Sequence, residues 1–161
     1  MKNMRHTIIL TGLVSVLAIG LFAFIPVAKD RLSRINDGNA GSHGIVFIEE
    51  DWSRALTEAK KQKKLIFLDA YASWCGPCMM LKRKTFPDKT AGDFFNKNFI
   101  NVAVNMEKGE GPSLLEKYSV HAFPTLIIAD GEGNMVTYTK GFMNPQELMQ
   151  FGEYGLNKTK Q

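Results

Sequence analysis

The apolar residues of the chain recur with two alternating periods. Trp52, Ala55, Leu56 and Ala59 follow helical spacing behind Asp51, a residue suited to an N-cap, and Lys60, Lys61, Lys63 and Lys64 close that helix where cations suit its dipole. Leu65 to Tyr71 (LIFLDAY) is a continuous apolar run, as in a central strand covered on both faces, with Asp69 its one charged member. A helix is predicted through Met79, Met80, Leu81 and Lys84, ended by Pro87, with a further turn or two over Asp88 to Asn96. Phe99 to Asn105 reads as a second central strand, followed by a Gly-rich turn and a short helix at Ser113 to Tyr118. Thr125 to Ala129 and Met135 to Lys140 flank Asp130-Gly131-Glu132-Gly133-Asn134, a hairpin signal, and Asn144 caps a last helix through Tyr154. With Ile45 to Ile48 as a short first strand, this order predicts an α/β domain over residues 45–157, a central mixed β-sheet flanked by helices.

Ahead of that domain the pattern changes. Thr7 to Ala28 contains no charged residue and follows Lys2 and Arg5, so residues 1–28 read as one N-terminal hydrophobic helix, a signal peptide or membrane anchor. Its length favours an uncleaved anchor, with cleavage after Gly20 or Ala28 as the alternative. Residues 29–44 turn to Asn, Asp, Gly and Ser, the composition of a flexible tether. Basic residues flank both ends of the apolar run, so charge does not orient it. Leaders usually serve export, so the domain is expected outside the cytoplasm, in the periplasm, tethered to the inner membrane through residues 7–28 or secreted.

Charge adds little to this picture. Of the net +4, residues 44–161 hold only +1, from 15 Lys and Arg against 14 Asp and Glu. A near-neutral domain behind a basic leader has no electrostatic footprint for nucleic acid, and no nucleic-acid partner is expected.

The chemistry concentrates in Trp74-Cys75-Gly76-Pro77-Cys78, which holds both cysteines of the chain. A two-residue spacer on a helix sets the sulfurs about one turn apart, near enough to open and close a disulfide reversibly. With Cys75 at a helix N-terminus, unpaired N–H groups and the dipole favour its thiolate, making it the attacking sulfur; Cys78, one turn further in, resolves the mixed disulfide. Half of a zinc site is the competing reading of C-x-x-C, but only His6, His43 and His121 could complete it, from distant stretches. His121, three residues before Pro124, is either a stabiliser of the Cys75 thiolate or an ordinary surface histidine. Asp69 lies six residues before Cys75 inside an apolar strand, where burial raises a carboxyl pKa and suits it to exchange protons with Cys78; a strand-end Asp bonded to local backbone is the alternative.

Asp69, the Trp74 to Cys78 motif, Phe123-Pro124-Thr125 and Gly141 resemble the thioredoxin pattern in order and spacing. Lys84-Thr85-Phe86 and Gly141-Phe142-Met143 resemble, more narrowly, the C-terminal thioredoxin-like domain of bacterial thiol:disulfide interchange reductases, over about residues 45 to 155. The resemblance implies a thioredoxin fold with Cys75 as nucleophile, Cys78 as resolving thiol, Asp69 as a buried proton-handling carboxylate, and a cis bond at Pro124. It also implies a substrate-docking surface of Trp74, Gly76, Pro77, Phe123, Pro124 and Gly141. The activity implied is reduction of protein disulfides without metal or other cofactor. Those reductases carry further membrane and partner domains, so a separate electron-donor protein is expected. Thioredoxins often hold a lysine near the buried Asp, where this chain has Ala103, and Gly76-Pro77 is the thioredoxin choice between the cysteines. An oxidase or isomerase, or a thioredoxin-fold binding module without turnover, are the rival readings.

Overall fold

The computed structural model describes residues 44–160; the expected apolar segment 7–28 and all of the expected tether before Gly44 lie outside the described residues. Among the described residues no helix is long and apolar enough to cross a membrane.

The five strands are β1 (Ile48–Glu49), β2 (Leu65–Tyr71), β3 (Phe99–Asn105), β4 (Thr125–Ala129) and β5 (Met135–Lys140), in sheet order β1-β3-β2-β4-β5. β2 and β3 pair in parallel over their full lengths, β1 runs parallel along β3, and β4 and β5 add antiparallel on the other side. The sheet is therefore mixed, as the pattern predicts, and the hairpin strands fall where the Asp130 to Asn134 turn places them. Among the described residues five α-helices surround it: α1 (Trp52–Gln62), α2 (Gly76–Met80), α3 (Lys89–Asn98), α4 (Gly111–Lys117) and α5 (Pro145–Lys158). Four start on side-chain caps: Asp51 accepts the Arg54 N–H at 2.8 Å, Cys75 the Cys78 N–H at 3.1 Å and Asp88 the Ala91 N–H at 2.9 Å, and Asn144 forms a reciprocal box with Glu147.

Alternation along the strands builds two cores. One face carries Ile66, Leu68, Ala70, Val102 and Ile127 beneath Trp52, Ala55 and Ala59 of α1 and Leu114 of α4. The other carries Phe67, Leu126 and Ile128 beneath Leu81, Phe95 of α3 and Leu148 and Phe151 of α5. That second core is aromatic, with Phe67 and Phe95 ring centroids 4.6 Å apart and Phe95 and Phe99 5.1 Å apart. Each such buried ring is worth about 1.5–3 kcal/mol of hydrophobic stabilisation. Asp69, two residues after Phe67, points into this aromatic face.

Two elements differ from expectation. The first strand, predicted at Ile45–Ile48, forms at Ile48–Glu49. The Ile45 N–H donates to the Phe86 carbonyl at 2.7 Å and the Val46 N–H to Asn96 Oδ1 at 2.9 Å, so these donors are spent on the helical layer before the chain reaches β3. The helix predicted up to Pro87 is α-helical only to Met80, then widens into a π turn over Leu81–Thr85, closed by the Phe86 N–H on the Leu81 carbonyl at 2.9 Å. There the buried Thr85 hydroxyl donates to the Met143 carbonyl at 2.5 Å, a tertiary bond that no local pattern encodes.

Candidate active site

β2 ends at Tyr71 and the chain turns directly into the cysteine motif, with the Cys75 N–H on the Ala72 carbonyl at 3.1 Å. Cys75 is the N-cap of α2, and its Sγ accepts the Cys78 N–H at 3.1 Å. Pro77 occupies the first turn, where its missing N–H has no helical partner. Cys75 and Cys78 are joined in a disulfide, S–S 2.11 Å and Cα–Cα 5.3 Å, and are 3% and 1% exposed. Ala72, Tyr71 and Phe123 pack around them.

The Phe123–Pro124 bond is cis. The half-buried Phe123 ring meets Trp74 edge-on at 5.9 Å, and the Pro124 carbonyl accepts the Gly141 N–H at 2.9 Å. Gly141 has φ +89°, a conformation that favours glycine. Trp74 is 69% exposed, and its indole N–H donates to Glu107 Oε1 at 3.0 Å. Phe123 thus links the buried cysteine pair to the exposed Trp74, and Pro124, itself buried, links to Gly141. Gly76 is exposed, and a Cβ there meets nothing within 4 Å, so packing does not require glycine at that position. His121 is exposed and enters none of the hydrogen bonds found around the motif among the described residues.

Asp69 lies in the interior, on the face of β2 that carries the aromatic core. It is fully buried, and among the described residues neither carboxylate oxygen has a hydrogen-bond partner, which speaks against the backbone-bonded alternative. Asp69 lines a cavity of about 390 Å³ together with Phe47, Glu49, Lys82, Phe86 and Ala103. Burial pushes its pKa up to about 7, with the Lys82 charge pulling it down and Glu49 adding to the rise. A carboxyl in that range can take and return a proton near neutral pH.

Sequence reasoning does not single out five further residues of the site: Tyr71, Glu50, Lys82, Glu49 and Glu107. The Tyr71 hydroxyl donates to Glu50 Oε1 at 2.6 Å, and the Lys82 ammonium sits over the Tyr71 ring, 3.6 Å from its centroid. Burial, followed by the hydrogen bond to Glu50, raises the Tyr71 pKa well above the phenol range. Lys82 stands four residues after Cys78, a spacing visible in the sequence. Glu49 and Glu107 reach the site from distant segments and leave no local signal.

A family model for the thioredoxin-like domain matches residues 52–156. The chain belongs to this family. Among relatives of this thioredoxin-like chain, the thiol:disulfide interchange protein DsbD of Yersinia pestis is 33% identical over 95 residues, covering 57% of this chain and 16% of the relative. The DsbD of Vibrio vulnificus is 28% identical over 147 residues, 86% of this chain and 24% of the relative. The chain therefore spans under a quarter of the length of either. Of solved structures, a Bacteroides thetaiotaomicron protein described as a candidate disulphide-isomerase is 40% identical, TM-score 0.63, covering 70% of this chain and 93% of that one. The oxidised C-terminal domain of Neisseria meningitidis DsbD, at 21% identity, TM-score 0.55 and coverage of 64% and 90%, shares the fold.

Proposed function

We propose that this thioredoxin-like chain is a thiol:disulfide oxidoreductase that reduces protein disulfides in the cell envelope. The observation that carries the reading is the position of Cys75 as N-cap of α2, its sulfur accepting the Cys78 N–H. After reduction that N–H and the helix dipole favour the Cys75 thiolate. The thiolate attacks a substrate disulfide, forming a Cys75–substrate bond and releasing one substrate sulfur as thiolate. Asp69 then takes the proton of the Cys78 thiol. The Cys78 thiolate attacks the Cys75 sulfur, which forms the Cys75–Cys78 disulfide and frees the second substrate sulfur. The substrate gains two electrons and the enzyme pair loses two.

In this reading, Trp74, Gly76, Pro77, Phe123, Pro124 and Gly141 form the surface on which an unfolded or flexible disulfide-bearing segment docks. A separate electron-donor protein restores the dithiol, no metal or other cofactor takes part, and residues 1–28 with the tether 29–44 hold or deliver the domain 45–157 outside the cytoplasm. The names of the interchange relatives support thiol:disulfide chemistry, and Gly76-Pro77 with Asp69 supports the reducing direction.

The direct test is the reduction potential of the Cys75/Cys78 pair in the purified full chain, equilibrated against dithiothreitol or glutathione buffers. A value near about −270 mV, the thioredoxin range, is expected; one near about −120 mV makes the protein a disulfide-forming enzyme and overturns the direction.

A further inference from the structure

The pairing of the strands puts three residues in one row. Asp69 of β2 is in register with Ala103 of β3, and Ala103 in turn with Glu49 of β1. Paired residues in a sheet project to the same side, so Glu49 and Asp69 flank a methyl group on the aromatic face. A long side chain at position 103 would fill the space between them; with alanine there, that space is part of the cavity that Glu49, Asp69, Ala103 and Lys82 all line.

Lys82 enters this cavity from the π turn after α2 and is held in place. Its ammonium lies over the Tyr71 ring, and the Tyr71 hydroxyl is bonded to Glu50, whose carboxylate also accepts the Asn105 N–H at 3.0 and 3.1 Å. Glu50, at φ +56°, adopts a backbone conformation uncommon outside glycine, directly after Glu49. The charged or titratable groups around Asp69 are thus Glu49 from β1, Lys82 from the π turn, and Tyr71 on its own strand, with Cys78 one helical turn before Lys82. β3 and β4 offer only Ala103 and Leu126 at the paired positions.

We propose that Lys82 and Glu49 are positioning residues whose opposite charges, set at the cavity beside Ala103, together fix the pH at which Asp69 changes protonation. Lys82 supplies from the helical layer the cation that the thioredoxin pattern places at the position of Ala103, and Glu49 opposes it from the edge strand. A proton taken by Asp69 leaves through the cavity past these two groups. The proposal rests on the reading of Asp69 as the proton-handling group only for its consequence in turnover; the charge relation itself stands on the geometry.

The experiment is a carboxyl 13C NMR titration of the oxidised full chain, in which no cysteine titrates, with Asp69→Asn identifying the resonance. Removing the Lys82 charge in Lys82→Met is expected to raise the Asp69 midpoint by about half a pH unit or more, and Glu49→Gln to lower it by a similar amount, magnitudes reduced from those of buried pairs because both groups reach solvent. Lys82→Arg, which keeps the charge and can stack on Tyr71, should restore the midpoint. Midpoints that stay put in both Lys82→Met and Glu49→Gln overturn the proposal. The pH–rate profile of disulfide exchange should follow the same shifts. If the midpoints move while Asp69→Asn leaves that profile unchanged, the charge relation holds and the catalytic reading of Asp69 fails.

Discussion

An aspartate in the hairpin turn and one inside a central strand show how the same side chain fares with and without hydrogen-bond partners. Asp130, at the β4–β5 turn, is fully engaged: its Oδ1 accepts the Glu132 and Asn134 N–H groups at 2.9 and 2.8 Å, and Oδ2 accepts the Asn134 side chain at 2.9 Å. Burial alone raises its pKa, and these bonds, with the nearby Gly133 N–H, outweigh that and hold it below the ordinary carboxylate range. Asp69 in β2 is more deeply buried and has no such partner, and burial pushes it up to about 7. A turn carboxylate stabilises the fold by being satisfied as an anion. Asp69 destabilises the fold as an anion, and that cost is what keeps its proton exchangeable.

The sharpest way to separate the two regions is to remove chemistry without touching either aspartate. With Cys75 as the proposed nucleophile, Cys75→Ser should abolish catalytic thiol–disulfide exchange, a loss of at least about a thousandfold, while far-UV circular dichroism stays native. Retained turnover would remove Cys75 as the nucleophile, whereas a Cys75→Ser chain that loses turnover but keeps its biological activity would return the protein to the class of binding modules.

The next effect is a pH dependence with a definite sign. A carboxyl whose folded pKa is raised binds its proton more tightly folded than unfolded, so the oxidised protein should lose stability as pH climbs from about 4 to about 7 and level off above. At about 1.4 kcal/mol per unit the loss is at most about 4 kcal/mol, and Asp69→Asn should erase it in urea unfolding curves taken across that range. An Asp69→Asn variant with the wild-type slope would show that another group is responsible.

The smallest effect belongs to the turn. Asp130→Ala should cost about 1–2 kcal/mol from its lost turn hydrogen bonds, and leave disulfide exchange unchanged. For Asp130 the sign is opposite to that of Asp69: its contribution is present above the unfolded pKa and is lost as pH falls through the lower folded value. A clear drop in exchange rate would mean that the hairpin end communicates with the motif.

The elements built on local rules were legible in the chain. Asp51 and Asn144 cap the helices that follow them, the Asp130 turn joins two strands at their expected bounds, and Cys75-Gly76-Pro77-Cys78 opens a helix. The misplaced first strand and the π turn were not, because both follow from bonds to segments about 40 to 60 residues away, Phe86, Asn96 and Met143.

The candidate site divides the same way. Cys75, Cys78, Asp69 and Pro124 stand out by residue type and spacing, since a reactive sulfur pair, a charge inside an apolar strand and a proline before one are each conspicuous in one dimension. Their surroundings are not: Glu107 on Trp74, Lys82 on Tyr71, and Glu49 across Ala103 from Asp69 are ordinary surface-type residues in ordinary sequence. The sequence determined which groups can react, because reactivity resides in the side chain and its immediate helix or strand. Only the tertiary structure decided which charges face them, because strand register and helix docking bring together residues that the chain keeps tens of positions apart.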